Sequence, residues 1–371
     1  MKNRILIVVG ALLLVLELLS VTRQAPVAMP SATAPIPAVN ISEPKSARVA
    51  TPVSFPAPQA NVSTTPTPAA TNSWLMRLLS TNAVTSLPRE VIDRWLASGH
   101  TNAEDLLAAR QAGGGTEFLR LALTNFPNDP RVLLASMALK DDEATTRDRL
   151  DRFKAAAPEN SMADYLSARD HLKNGRPDEA IADLLAASGK TRFNDYTLDA
   201  MQNAEDLYMQ SGKSPVEAKA LGTSTVLLPA LAQFRGLAQD MAALQRQYLA
   251  AGDTASAENL ARMGMQLGQH LVEGEGSKTL IGELVGAAIE RIVLNPLDPA
   301  KTYDFLQGTV TDRTAQLDAR RTEVRQTSQS LDQWMRSASD ADLISYFDRF
   351  KLYGESAALK WLRGRQDRTD P

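Results

Sequence analysis

The chain has 371 residues, with 43 Asp and Glu against 40 Lys and Arg, and contains no cysteine. The missing thiol excludes disulfides, thiolate metal sites, iron–sulfur clusters, thiol nucleophiles and a lipidated amino-terminal Cys. A net charge of −3 argues against a dominant phosphate-binding stripe, so nucleic acid is not an expected partner, and three widely spaced histidines (His100, His171, His270) do not compose a His-rich metal site.

Residues 1–23 read as a membrane anchor or signal segment. Lys2 and Arg4 precede the apolar run ILIVVGALLLVL, which leads into ELLSV. Two readings compete: a cleaved secretory signal, or an uncleaved anchor over Ile5 to Val21 with Glu17 near the far interface. No clean small-x-small cleavage site follows, since Ala25 precedes Pro26 and Thr22 is a poor final residue. The expectation is therefore a single-pass membrane protein, amino terminus in the cytoplasm and folded domain outside, with secretion after cleavage as the alternative. Residues 24–73 form a Pro/Ala/Thr/Ser-rich disordered linker. Residues 24–72 hold ten of the twenty prolines and no glycine, a composition that favours extended polyproline II and cannot bury a core. At ~3.1 Å per residue such a stalk reaches at most ~150 Å. It carries the sequons Asn40-Ile-Ser and Asn61-Val-Ser and a Ser42-x-x-Lys45 pattern in which a catalytic role is not expected.

Beyond residue 73 apolar side chains recur at three- and four-residue spacings, which predicts an all-α fold. LPREVIDRWLASGHTNAEDLLAARQ predicts two short helices, with Pro88 in the first turn, Gly99 between them and Thr101 or Asn102 as a cap. Gly113 to Gly115 reads as a hinge between helices. In HLKNGRPDEAIADLLAAS a helix ends at Gly175, Pro177 opens the next, and Asp178 and Glu179 occupy its first turn, where the helix dipole favours them. Gly264, Gly268, Gly282 and Gly286 recur at four-residue steps within two segments and read as close helix contacts; Glu283, Glu290 and Arg291 argue against a second membrane span there. A long charged helix is predicted over 310–339, with Leu317, Val324 and Leu331 as a one-sided seam. Trp334, Tyr346, Phe347, Phe350, Trp361 and Leu362 are expected to pack a terminal helical cap.

The central segment resembles the tetratricopeptide repeat, on the strength of Ala168, Gly175, Ala180, Leu184 and Ala187. A second window places Tyr248, Gly252, Ala257, Ala261 and Gly264 at matching offsets, and a third unit, DPRVLLASMALKDDEATTRDRLDRFKAAAPEN, ends in an Ala-Pro-x-Asn tail but lacks the turn glycine. Gly175 and Gly252 lie 77 positions apart, not a whole multiple of 34, so the array is interrupted. Covering about a third of the chain, the resemblance implies antiparallel helix pairs in an irregular superhelical array over 74–309, followed by a long helix and helical cap over 310–371. It further implies a concave groove lined by first helices, with Tyr165, Arg169, Lys173 and Arg246 as candidate partner-binding residues. Arg169 and Arg246 share a repeat position, suited either to bidentate carboxylate pairing or simply to solvating an exposed face.

Signals for chemistry are sparse. GEGSKT, residues 274–279, lacks the strand and the Gly-Lys pair of a phosphate loop, and reads as a turn with a helix cap. His270 and Glu273 share a helical face, as a surface ion pair or half a metal site. No catalytic residue, cofactor or metal is predicted. The expected function is a membrane-anchored helical-repeat scaffold or adaptor that binds a protein or peptide partner in the cell envelope. The alternatives are an envelope enzyme with a carboxylate site within 253–294, or a passive assembly component.

Overall fold

A computed structural model describes residues 86–225, 229–274 and 278–366. The anchor or signal segment, the proline-rich linker with its sequons and Ser42-x-x-Lys45, and residues 275–277 of the GEGSKT turn lie outside the described residues.

Fifteen α-helices make up most of the described residues. The first five are α1 (Arg89–Ala97), α2 (Ala103–Ala109), α3 (Thr116–Asn125), α4 (Pro130–Ser136) and α5 (Glu143–Ala156). Next come α6 (Ser161–Lys173), α7 (Pro177–Ser188), α8 (Thr197–Gln210), α9 (Pro215–Ser224), α10 (Pro229–Ala250), α11 (Thr254–Glu273) and α12 (Leu280–Leu294). A two-residue hairpin, β1 (Thr302–Tyr303) with β2 (Gly308–Thr309), precedes α13 (Val310–Ser337), α14 (Asp340–Tyr353) and α15 (Glu355–Gln366). That hairpin is absent from the sequence reading, because two residues per strand carry no alternation to detect.

Local chemistry sets the helix ends. Asn102, rather than Thr101, caps α2: its side chain accepts from Asp105 N at 2.9 Å while the Asp105 carboxylate accepts from Asn102 N at 3.1 Å. After α2 the chain widens into a π turn, Arg110–Gly114, which Gly113 (φ +106°) and Gly115 (φ +82°) end in conformations that side chains rarely adopt, so the triple glycine is the expected hinge. Pro177 opens α7, and Thr309 and Asp312 form a capping box at α13.

Three apolar clusters hold these helices together. The central one joins α4–α7 to α10–α12. The amino-terminal one joins α1–α4 to Ala204, Leu207 and Tyr208 of α8 and to Ala218 and Leu221 of α9. The carboxy-terminal one joins α13–α15 to Met201, Val216, Ala220, Leu280 and Leu284. The α8/α9 hairpin therefore feeds both end clusters, α8 against α2 and α9 against α14, while α10 lies along α6, α11 and α12. The α6/α7 and α10/α11 hairpins are neighbours in space, and the α8/α9 hairpin that lies between them in sequence packs elsewhere. Leu317, Val324 and Leu331 are all buried, as are Trp334, Tyr346, Phe347, Phe350 and Leu362, while Trp361 is partly buried against the same cluster.

The α11/α12 contact depends on missing side chains. A Cβ on Gly286 would lie 2.5 Å from the Gly268 carbonyl oxygen, and one on Gly268 would lie 2.8 Å from that of Gly286. Gly286→Ala would gain about 1 kcal/mol of helix propensity, against an overpacking cost of about 1–3 kcal/mol on a backbone that cannot yield. We expect net destabilisation by urea unfolding, whereas Gly364→Ala, in a helix with open space around it, should not destabilise.

The carboxy-terminal cap is latched to α12 by Glu355. Its carboxylate accepts from Leu280 N at 2.8 Å, and its own N–H donates to Lys278 O at 2.8 Å. Burial of the carboxyl, reinforced by Glu283, raises its pKa from 4.5 to about 7. Between those values the folded state binds more protons than the unfolded chain, so this group's contribution to stability falls as pH rises through the window. Glu355 is partly exposed as a residue, which reduces the effect to about 1–2 kcal/mol. Glu355→Gln should keep the acceptor and remove this decline, seen as a stability difference from wild type that grows between pH 5 and pH 8.

Candidate partner-binding surface and cleft

The four residues assigned to a groove have different fates. Tyr165 is fully buried, its ring 6.4 Å from Phe193, 6.4 Å from Phe234 and 5.9 Å from His270 between centroids. It is a core residue and not a groove residue, because α10 and α11 close over the face of α6 that carries it; burial also drives its phenol pKa far up. Arg169 pairs with Asp240 on α10, and its guanidinium lies where a Cβ on Gly236 would meet it at 2.7 Å. Desolvation raises the Asp240 carboxyl, and Arg169 draws it back down. Lys173 and Arg246 are exposed, on α6 and α10. Arg169 thus ties α6 to α10, while Arg246, expected at an equivalent position, faces solvent.

His270 turns inward rather than pairing with Glu273. Its Nδ1 lies 3.3 Å from the Tyr165 hydroxyl and 3.5 Å from Ser161 Oγ, and its ring stacks 5.7 Å from Phe193. The Ser161 hydroxyl donates to Arg192 O at 2.9 Å, so it is committed to structure. Burial lowers the His270 pKa to about 4. Among the described residues no three His, Cys, Asp or Glu side chains gather as metal ligands. The carboxylates of 253–294 are engaged as caps or ion pairs: Asp253 caps α11, Glu258 meets Lys301 at 2.6 Å, Glu283 meets Arg320 at 2.5 Å and Glu290 meets Arg313 at 2.7 Å. Only Glu273, exposed, stands apart from this pattern among the described acids of that region.

A cleft of about 120 Å³ opens where α2, α4, α6, α10 and the start of α8 converge. Leu134, Met162, Leu231 and Phe234 give it an apolar floor. Most of its polar groups are occupied: Arg131 pairs with Glu104 and, at 2.6 Å, with Asp129; Gln111 donates to Thr225 Oγ1 at 3.0 Å; Asp195 accepts from Thr197 N at 3.0 Å. Arg110 differs. It is half-buried, burial lowers its pKa, and no described residue gives it a hydrogen bond or ion pair.

At the rim, Tyr196 adopts φ +55°, a left-handed conformation that costs an aromatic residue on the order of 1–3 kcal/mol. Two asparagines impose it. Buried Asn160 donates to Asn194 O at 2.8 Å and accepts from Asn194 N at 3.0 Å, and Asn194 Oδ1 then accepts from Tyr196 N at 2.8 Å. Asn160 belongs to the Ala-Pro-x-Asn tail that the sequence marks as a repeat ending. Its second task, 34 residues downstream, has no local signal, and Arg110 is marked only as a lone cation between apolar residues and a glycine hinge.

Comparison with known protein families, curated proteins and solved structures finds no match to this chain. The geometry defines the class: an all-helical assembly of packed helix hairpins.

The His270 shift has a measurable consequence. The folded state binds fewer protons than the unfolded chain between about pH 4 and 6.5, so this contribution is intact above pH 6.5 and is lost as pH falls toward 4. In an NMR titration of the imidazole resonances we expect His270 to stay neutral down to about pH 4.

Proposed function

We propose that this chain is a helical-repeat scaffold, tethered to the cytoplasmic membrane by residues 1–23 and holding its folded part on the far side at the end of the 24–73 stalk, where it binds a protein or peptide partner. The tetratricopeptide-like reading is supported by the contact of α6 with α10, the first helices of two successive hairpins in space, and by burial of Ala168, Ala180, Leu184, Ala187, Ala257 and Ala261 at helix contacts. The observation that carries the binding role is the exposure of Lys173 and Arg246 on those two adjacent first helices. A scaffold needs a rigid surface whose chemistry is spread over neighbouring repeats, and cations on consecutive helices supply one for an acidic segment.

The tether follows from the positive flank and apolar run of residues 1–23, and among the described residues no helix is long and apolar enough to cross a membrane. A photo-crosslinking residue at position 173 or 246 should capture the same protein in living cells, and one at Glu90, exposed on α1, should not. Lys173→Glu with Arg246→Glu should reduce that capture by about tenfold or more. Unchanged capture would overturn the groove, and recovery of the uncleaved chain in the soluble fraction would overturn the tether.

A further inference from the structure

We propose that the cleft between α2, α4, α6, α8 and α10 binds a small aliphatic or aromatic carboxylate, its charged end on Arg110 and its apolar body on Leu134, Met162, Leu231 and Phe234. The partner reading does not use this cleft, and the two stand or fall separately.

Charge comes first. A guanidinium stays protonated even when burial lowers its pKa, so Arg110 bears a full positive charge from which part of the hydration has been removed. The other arginine of the cleft, Arg131, has two carboxylates. Arg110 has none among the described residues: Asp199 lines the same cleft but forms no ion pair with it, and desolvation alone shifts the guanidinium. A ligand carboxylate matches the planar fork of donors and replaces the lost water with charge-assisted hydrogen bonds. Apolar surface comes second: a bare inorganic anion would leave the floor of Leu134, Met162, Leu231 and Phe234 uncovered, whereas a hydrocarbon body fills it. Size comes third. The volume, about 120 Å³, is below a cavity of roughly 150 Å³ that accommodates benzene and far below the several hundred Å³ of sites for larger ligands, so the cleft covers only part of a small acid's hydrocarbon body and leaves no room for a peptide chain.

Strain gives independent support. Tyr196 is held in its left-handed conformation at the mouth of this cleft by Asn160 and Asn194, and strained residues that the surroundings over-determine concentrate at ligand sites.

The test uses the purified full chain and titration calorimetry with hexanoate, phenylacetate, hexanamide, acetate and an N-acetylated tripeptide ending in leucine. We expect hexanoate or phenylacetate to bind, hexanamide and acetate each to bind about tenfold or more weakly, and Arg110→Gln to abolish the preference of acid over amide while Arg110→Lys keeps part of it. Thermal unfolding of the Arg110 variants checks that they fold. Ala135→Trp, which fills the cleft from α4 and leaves Arg110 in place, should also remove hexanoate binding, so the proposal remains testable should Arg110→Gln not fold. Any of four results would overturn it: equal affinity for acid and amide, acetate binding as tightly as hexanoate, hexanoate binding that survives both variants, or no binding of either acid at millimolar concentration. Binding of the tripeptide without the free acids would show that the site takes a chain end instead. Partner capture from positions 173 and 246 should be unchanged in Arg110→Gln, so loss of one activity is not mistaken for loss of the other.

Discussion

The architecture depends on where the α8/α9 hairpin goes. In an uninterrupted array of helix pairs this hairpin would stack between α6/α7 and α10/α11 and occupy the face of α6 that carries Tyr165 and Arg169. Instead its apolar residues divide between two other cores: Ala204, Leu207 and Tyr208 serve the amino-terminal cluster, Met201, Val216 and Ala220 the carboxy-terminal one. Displacement of one hairpin therefore has three results. It brings α10 against α6, which buries Tyr165; it ties the two ends of the chain through a shared element; and it leaves a cleft at the point where α8 departs.

Polar contacts hold that arrangement in register. Lys219 of α9 meets Glu205 of α8 at 2.8 Å and Asp348 of α14 at 2.5 Å, and Lys351 of α14 meets Glu205 at 2.6 Å. On the other side Trp95 of α1 donates to Gln210 at 3.0 Å and Gln111 reaches Thr225. Within the α6/α7 hairpin, Asp164 and Asp183 are buried between Lys154, Lys190 and Ser167. Desolvation dominates at Asp164 and raises its carboxyl despite the two lysines. Such pairs add little net stability over apolar packing, but removing one partner leaves an uncompensated buried charge. A wrongly seated hairpin would strand several at once. Their contribution is thus to the choice of one arrangement over its neighbours.

The contrast between what was and was not legible in the sequence follows the range of each interaction. Caps, glycine stops and the Pro177 start are decided within four residues, and so are visible as Asn102, Gly175 and Thr279. Seams are decided by one helix's period, hence Leu317, Val324 and Leu331; close contacts need small residues at regular steps, hence Gly264, Gly268 and Gly286. Tyr165 was misplaced because its burial is set by Phe234 and His270, 69 and 105 positions away. The same holds for the inward turn of His270 and for the cleft, whose walls come from five helices. Arg169 and Arg246, read from the sequence as equivalent, differ in exposure, since only Arg169 has Gly236 and Asp240 opposite it. Position along a helix fixes the direction of a side chain, while the neighbouring helix decides whether that direction is solvent.

Two titrating groups place opposite demands on different parts of this frame. His270 sits in the central aromatic cluster and must stay neutral, so acid opposes the packing of α6, α10 and α11 around it. Glu355 sits at the junction of α12 with the carboxy-terminal cap, and acid relieves the buried charge there. The windows overlap between about pH 4.5 and 6.5, so their effects on global stability partly cancel while their local effects do not. Acid thus opposes the packing of the central aromatic cluster and favours the junction of α12 with the cap.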